Sequence, residues 1–235
     1  MSYLAVFAVL SLLIVVHEAG HLLAAKLVGL PIDSFSVGLG PRLWSRRWGR
    51  VEYVLRALPL GGFVVPAIEE SEIRIVPLGR RLVFFLGGPL ANLLITLPLF
   101  ALLNLTRYGF SWLNLFVAPF QQAVAGCWQM LILIPRLFAH PESLSGVVGI
   151  VVEGGHAAQS GMLLELTLSL TLSLALLNLL PIPMLDGGQI VMGCLEEMFP
   201  RLVRLRVPLT VVGMLLLAVL MIYLNLRDVF HYLVA

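Results

Sequence analysis

Residues Val16-His17-Glu18-Ala19-Gly20-His21 form the most informative stretch of this sequence. The stretch lies in a long apolar run that begins near Leu4 and continues through two leucines and two alanines after His21. Only Gly20 disfavours a helix, so the run predicts one helix on which His17 and His21 lie one turn apart on the same face. Two imidazoles at this spacing can bind one zinc ion, and the Glu18 carboxylate then lies beside the metal.

The location of these groups in an apolar helix favours a functional site. Ionisable side chains in a membrane helix are costly, and by default they mark function. A structural alternative is a pair of buried histidines whose ring nitrogens are satisfied by neighbouring carbonyls. That alternative does not need Glu18 as well. The pattern therefore favours zinc-dependent peptide hydrolysis, the chemistry of which His-Glu-x-x-His is typical.

The composition is that of an integral membrane protein. Of the 235 residues, 60% are hydrophobic and 12% are charged, whereas an ordinary soluble domain is about 45–50% apolar and about 25% charged. The net charge of +2, without a basic tail, argues against a nucleic-acid partner. The two cysteines, Cys127 and Cys194, match no paired metal-ligand spacing.

The apolar runs and their breakers predict an all-α polytopic membrane protein with four transmembrane helices, a small membrane-associated β-loop and an interfacial helix. We expect residues 1–235 to form a single transmembrane metalloprotease domain. The predicted spans are residues 3–30, 82–105, 162–180 and 207–226. Each is long enough to cross a bilayer, which takes about 20 residues of helix.

Residues 33–66 differ in kind from the spans. Glycines and prolines exclude a long helix there, and short β-like runs between them predict a hairpin at the membrane face. This hairpin and the residues that follow carry most of the arginines, which are Arg42, Arg46, Arg47, Arg50, Arg56, Arg74, Arg80 and Arg81. By the positive-inside rule the segment lies on the cytoplasmic side. We interpret these arginines as a topology signal or as contacts to lipid headgroups.

Asp186 is the outstanding candidate for the third zinc ligand, since a catalytic zinc needs three protein ligands and an open position. It borders a long apolar span in a stretch broken by Pro and Gly, and such backbone is tolerated in a membrane only where it is buried in protein or lines a wet cavity. If Asp186 meets the histidines, the span 162–180 runs inward. Residues 106–161 then begin and end outside, and residues 112–138 form an interfacial or partly re-entrant helix on the outer face.

Two other functions fit part of the pattern. One is a membrane-embedded zinc peptidase of another kind with a glutamate as third ligand, for which Glu165 is the only candidate in a later span. The other is a metal-binding transporter or scaffold without proteolytic activity, against which the retention of Glu18 argues. The remaining histidines are expected at the surface, and these are His140, His156 and His231.

The motifs together resemble the site-2 protease family of intramembrane zinc metalloproteases, and most closely its regulator-of-sigma-E protease branch. The resemblance covers nearly the whole chain. It is carried by His17–His21, Pro59–Phe63, Gly88–Asn92, Ser145–Ile150 and Asn178–Gly187. These match, in order, the zinc-binding motif, the membrane-reentrant β-loop, the second-helix signature, the segment before the last core motif, and the Asn-Pro-x-Pro-x-Leu-Asp-Gly motif.

The resemblance implies a set of roles for named residues. It makes Asp186 the third zinc ligand and Glu18 the catalytic base. It also implies that Asn178 and Asn92 contact substrate or the developing oxyanion. The β-loop around Gly61, Gly62 and Phe63 offers an edge to which an extended substrate adds as a strand.

The resemblance further implies what the protein acts on and where. The expected reaction is hydrolysis of a peptide bond within or near the membrane segment of single-span proteins embedded in the same lipid bilayer. In the family these substrates are anti-sigma factors, membrane-tethered regulators or signal-peptide remnants. The expected location is a bacterial inner membrane with the active site toward the cytoplasm. Residues 106–161 are too few to hold a PDZ domain beside the interfacial helix, so a PDZ-less form is expected.

Overall fold

The computed structural model describes residues 2–68, 75–139 and 144–234. Seven α-helices and one β-hairpin make up most of these residues. The elements are α1 (Ser2–Leu27), β1 (Ile32–Trp48), β2 (Val51–Pro66), α2 (Leu78–Tyr108), α3 (Ala118–Ala139), α4 (Val147–Gln159), α5 (Leu163–Asn178), α6 (Asp186–Met198) and α7 (Val203–Val229). The predicted fold class is confirmed: a mostly helical membrane protein with a small β-element.

In the described part of the chain, four helical stretches are long and apolar enough to cross a membrane. Three of them, Ser2–Leu27, Leu78–Tyr108 and Pro200–Tyr232, coincide with predicted spans. The fourth is Leu113–Pro135, the segment expected at the outer face, whereas α5 is a shorter apolar helix of 16 residues. Length and composition alone do not establish which of these two segments crosses the membrane. The assignment of 162–180 as a span and 112–138 as interfacial therefore remains a prediction.

Backbone contacts divide the chain into two units, neither of which is continuous in sequence. One comprises Met1–Val9, Leu93–Leu176 and Thr210–Ala235, and the other comprises Leu10–Asn92 and Leu177–Leu209. We call the second the motif unit, because it contains the His-Glu-x-x-His stretch, the hairpin and Asp186.

Helix α1 ends at Leu27 in the motif unit, three residues before the predicted end of the span. Gly29 has a left-handed backbone with φ of 68°, and the amide of Leu30 bonds to the carbonyl of Ala25 at 2.8 Å. A glycine in this conformation closes a helix without steric cost. Pro31 follows, and the chain leaves directly into β1.

The hairpin folds back on itself beside α1. Ser34–Val37 pairs with Gly62–Val65 and also has partners in Glu52–Leu55, while Trp44–Trp48 pairs with Val51–Leu55. Gly62–Val65 thus has a strand partner on one side only, within the described part of the chain. This leaves it as an edge of the small sheet.

The start of α2 packs closely on α1. A methyl group on Gly20 would lie 2.5 Å from Ala91 Cβ, and one on Gly87 would lie 2.6 Å from the carbonyl oxygen of Gly20. Both glycines are needed because the two backbones touch, as small residues permit in membrane helices. The hydrophobic core beside this crossing is formed by Leu22, Ala25, Leu30, Ile32 and Phe84.

The other unit is held by polar contacts between helices. Asn104 on α2 and Gln122 on α3 exchange two hydrogen bonds through their side-chain amides, at 2.9 and 3.0 Å. The carboxylate of Asp228 on α7 accepts the backbone N–H groups of Gly146 and Gly149 at 2.7 and 2.9 Å. It thereby satisfies the free amides at the start of α4.

Candidate metal centre

His17, His21 and Asp186 converge in the motif unit, although Asp186 is 169 positions from His17. One ligand atom from each residue lies within 4.8 Å of the others. His17 Nε2 is 3.1 Å from Asp186 Oδ2 and 3.3 Å from His21 Nε2, and His21 Nε2 is 3.4 Å from Asp186 Oδ1. Both imidazoles are buried. The sequence-predicted zinc ligands thus form a potential metal-binding group.

The separation of the two imidazole nitrogens fits the size of zinc. Four-coordinate tetrahedral zinc binds histidine nitrogen and carboxylate oxygen at about 2.0–2.2 Å, which places neighbouring ligand atoms about 3.3–3.6 Å apart. The 3.3 Å between His17 Nε2 and His21 Nε2 lies in that range, and each of these nitrogens faces a different oxygen of the Asp186 carboxylate. Two neutral nitrogens and one carboxylate oxygen are also a donor set that zinc accepts.

Two outer contacts orient the imidazoles. His21 Nδ1 donates to the carbonyl oxygen of Phe84 at 2.8 Å, and a carbonyl can only accept, so the neutral ring has its Nε2 lone pair free for a metal. The side-chain amide of Asn92 lies 3.2 Å from His17 Nδ1. The amide atom at this distance is Nδ2. With a metal on His17 Nε2, Nδ1 would carry the proton, and the amide would turn to present its oxygen to the ring.

Asp186 is positioned by the turn that precedes α6. The backbone closes twice within this turn, from Ile182 N to Leu180 O and from Leu185 N to Ile182 O, each at 2.8 Å. A methyl group on Gly188 would lie 2.8 Å from the Cα of Pro183, so α6 begins in direct contact with the turn. Gly187 and Gly188 have no side chains to collide with this turn, so α6 can begin at Asp186 with its carboxylate beside the two histidines.

A cleft of about 310 Å³ opens beside the three ligands. Glu18, Gly62, Phe63 and Asn178 lie in its lining. The approach of β2 to Glu18 is close, because a methyl group on Gly62 would lie 2.8 Å from Glu18 Cγ. Phe63 is held by the guanidinium of Arg56, which lies 5.2 Å from the centre of its ring. The edge strand, the carboxylate and the metal ligands therefore share one cavity.

Two of the other predicted site residues lie outside the cleft lining. Gly61 adopts a left-handed backbone with φ of 88°, and its α-carbon faces Leu39. Asn92 is fully buried, and the contact described above is with His17. Glu165, the alternative third ligand, forms an ion pair with Arg107.

Sequence reasoning missed the carbonyl of Phe84 and the environment of two arginines. Arg81 is buried and its Nη1 lies 3.2 Å from Glu196 Oε2, while Arg206 Nε lies 2.7 Å from Glu196 Oε1. Arg81 therefore differs from the exposed arginines of the hairpin, for which a topology role was expected. Glu196 was the sequence signal that could have indicated these ion pairs. It lies ten residues after Asp186 in α6, and a buried carboxylate needs a charged partner. Arg74 and His140 lie outside the described residues.

The fold and this site define a polytopic membrane protein with a buried centre of two histidines and one aspartate. The chain belongs to peptidase family M50, whose family model matches residues 5–222. This confirms the resemblance to the site-2 protease family seen in the motifs.

Similar proteins come from bacteria and a plant. The chain is 40% identical over 104 residues to a Nostoc protein with the provisional name of a zinc metalloprotease, covering 40% of this chain and 29% of that protein. A Chlamydia trachomatis protein with the same provisional name is 39% identical over 112 residues, covering 40% and 18%. The Arabidopsis chloroplastic membrane metalloprotease ARASP is 31% identical over 175 residues, covering 68% and 36%. The matches span about a third of these relatives' length or less.

Proposed function

We propose that the protein is an intramembrane zinc endopeptidase that hydrolyses peptide bonds within or near the transmembrane segment of membrane-protein substrates. The observation that carries this proposal is the convergence of His17, His21 and Asp186 with Glu18 in one cleft of a polytopic membrane protein. Membership of peptidase family M50 and the names of the similar proteins support it. A transport site would have no use for the non-ligand carboxylate.

His17, His21 and Asp186 would hold the zinc ion. When bound, zinc supplies a Lewis acid that polarises the scissile carbonyl and lowers the pKa of water. Glu18 is the general base: its carboxylate takes the proton of the attacking water and passes it to the leaving nitrogen. The close approach of Gly62 to Glu18 leaves the carboxylate little lateral freedom, so it faces the cleft.

Substrate binds as an extended strand along Gly62–Val65. Peptide bonds within a helix are hydrogen-bonded and shielded, so the scissile segment has to unwind before it is cut. The one-sided pairing of this strand supports the assignment, because its free edge offers backbone donors and acceptors to an added strand. Asn178, in the cleft lining, is suited to hold the substrate backbone or the developing oxyanion.

The substrates we propose are single-span membrane proteins: an anti-sigma factor, a membrane-tethered regulator or a signal-peptide remnant. The proposed location is a bacterial inner membrane, with the cleft toward the cytoplasm. The arginine content of the hairpin supports this orientation, since residues 33–66 carry Arg42, Arg46, Arg47, Arg50 and Arg56.

The experiment compares cleavage of a single-span reporter by the parent and by Glu18→Gln, in liposomes, with zinc measured in both. We expect equal zinc and loss of at least about a hundredfold in rate for the variant, since general-base catalysis contributes about 10²–10⁴-fold. Glu153→Gln is the matched control, because Glu153 is exposed and far from the motif in sequence. Zinc in both proteins with no cleavage of several reporters by the parent would contradict the proposal and favour a transporter or scaffold.

A further inference from the structure

A second cavity, of about 180 Å³, lies in the motif unit. Among the residues that the structure describes, its lining is apolar except for one charged side chain, Arg81. Leu30, Ile68 and Val76 line this cavity and are not among the residues that line the catalytic cleft. An apolar pocket of this size can take a side chain or a ligand, because protein interiors leave few spaces larger than a water molecule unfilled.

The second cavity adjoins the catalytic cleft. Val64, Phe84 and Phe85 line both spaces. The carbonyl oxygen of Phe84 also accepts the hydrogen bond from His21 Nδ1. The centre of the Phe84 ring lies 5.2 Å from the centre of the His21 imidazole. A substrate strand lying along Val64 would therefore direct a side chain into the second cavity while its backbone remains beside the metal ligands.

The volume selects the occupant. An apolar cavity of about 150 Å³ accommodates one benzene molecule, so about 180 Å³ has room for one leucine, methionine or phenylalanine side chain. A drug-sized or lipid-sized ligand needs about 300 Å³ or more. The continuity with the cleft and the size of the space together favour a single substrate side chain.

Arg81 places a positive charge at the wall of this cavity. Its Nε has no hydrogen-bond partner among the residues that the structure describes, nor has Arg206 Nη2. Two buried guanidinium groups share the one buried carboxylate of Glu196, and Glu197, 3.7 Å from Arg81 Nη2, is largely exposed. Within the described residues, the buried part of this cluster holds two guanidinium groups and one carboxylate. The buried guanidinium of Arg81 at the cavity wall disfavours a cationic occupant more than an anionic one.

We propose that the cavity lined by Leu30, Ile68, Val76 and Arg81 is a specificity subsite for one large apolar side chain next to the scissile bond. It selects leucine, methionine or phenylalanine over alanine, and among charged residues it tolerates glutamate better than lysine. This rests on the proposed protease function and names the substrate feature that the enzyme recognises.

The test varies the residues on either side of the cleavage point of a reporter, with kcat/KM measured for each substrate. At the position that occupies the subsite, we expect leucine to be preferred over alanine by about tenfold or more, as one methylene in an apolar pocket is worth about tenfold. Val76→Phe fills the cavity and should reduce this preference to about twofold, because the leucine side chain no longer fits. Ile68→Ala enlarges it and should move the preference toward tryptophan.

Val83→Phe is the matched control, because Val83 is exposed on the same helix as Arg81 and does not line the cavity. It should keep the parental preference. Zinc content verifies that each variant is folded, and the opposite shifts of Val76→Phe and Ile68→Ala keep the test independent of one variant's stability. Unchanged preferences in both variants, or the same loss in the control, would overturn the subsite.

Arg81→Met tests the charge separately. Glu196 keeps Arg206 as its partner in this variant, so one balanced ion pair remains. The parent should cleave the glutamate substrate several times faster than the lysine substrate, and Arg81→Met should abolish or reverse that order. A persistent order in Arg81→Met would overturn the role of Arg81. A parent that cleaves no reporter would refute the proposed function itself, whereas cleavage without side-chain preference would refute the subsite alone.

Discussion

Gly88 lies directly against the imidazole of His17: a methyl group on its α-carbon would be 2.6 Å from Nε2. The same methyl group would also overlap His21 Nε2. The backbone of α2 at Gly88 thus lies directly beside the Nε2 atoms of His17 and His21. A side chain at position 88 would therefore meet the space that the two histidines, the predicted metal ligands, already fill.

Gly88→Ala should remove zinc and activity together. The added carbon meets ring nitrogens that neighbouring hydrogen bonds hold in place, so the histidines would have to leave the geometry that suits the metal. We expect zinc content below about a tenth of the parental value. Gly79→Ala, on the same helix with nothing within 4 Å of its added carbon, is the control. Full zinc occupancy in Gly88→Ala would show that the rings can move without cost.

Gly62→Ala should separate metal binding from catalysis. Its added carbon would lie 2.8 Å from Glu18 Cγ and 2.9 Å from the carbonyl oxygen of Ser36, but it does not meet a metal ligand. We expect parental zinc content with at least a tenfold lower cleavage rate, because Glu18 is displaced. Loss of zinc from this variant would instead mean that the hairpin supports the ligands. The rate on a single-span reporter and the zinc content are both required.

Asn92→Ala should weaken zinc binding by about 10–100-fold, the usual effect of removing the outer partner of a metal-binding histidine. The reason is the contact of 3.2 Å between the amide and His17 Nδ1. Asn92→Asp keeps an acceptor for the Nδ1 proton and should retain more zinc. Chelator competition measures both variants. If Asn92→Ala binds zinc like the parent and only cleavage falls, the substrate-contact role implied by the resemblance would be favoured.

Glu196→Gln should lower stability by about 3–5 kcal/mol, as expected when a buried ion pair loses one partner. Glu196 is 1% exposed and is shared by Arg81 and Arg206, so the amide would leave two buried cations without a carboxylate between them. Thermal unfolding in detergent measures the effect. Glu197→Gln, at a side chain 66% exposed, should change stability by about 0.5 kcal/mol or less. Equal melting temperatures for the two variants would contradict a structural role of the cluster.

The parts of the site that could be predicted are those that depend on residues close together in the sequence. The spacing of His17 and His21 defines one helical face, and Asp186 follows from the need for a third ligand in backbone that a membrane tolerates only at a cavity. Long apolar runs likewise predict α1, α2 and α7. The β-loop was predictable from its glycines and prolines, because these residues exclude a helix.

The unpredicted part depends on contacts between distant residues. A backbone carbonyl such as that of Phe84 has no sequence signature, so its bond to His21 could not be anticipated. Arg81 resembles the hairpin arginines in sequence and differs from them only because Glu196 meets it 115 positions later. The pairing of Ser34–Val37 with two different parts of β2 could not be predicted either. It depends on how the hairpin bends and produces no periodic pattern in the sequence.

The separation of 169 positions between His17 and Asp186 gives a bound metal a mechanical role as well as a chemical one. A metal joining these residues would bind the folded chain, in which they meet, and not the unfolded chain, so its binding free energy would add to the stability of the fold. Because α1 and α6 each carry predicted ligands, such an ion would act as a cross-link between the beginning and the later part of the sequence. Resistance to unfolding and catalytic competence would then be acquired in the same binding event.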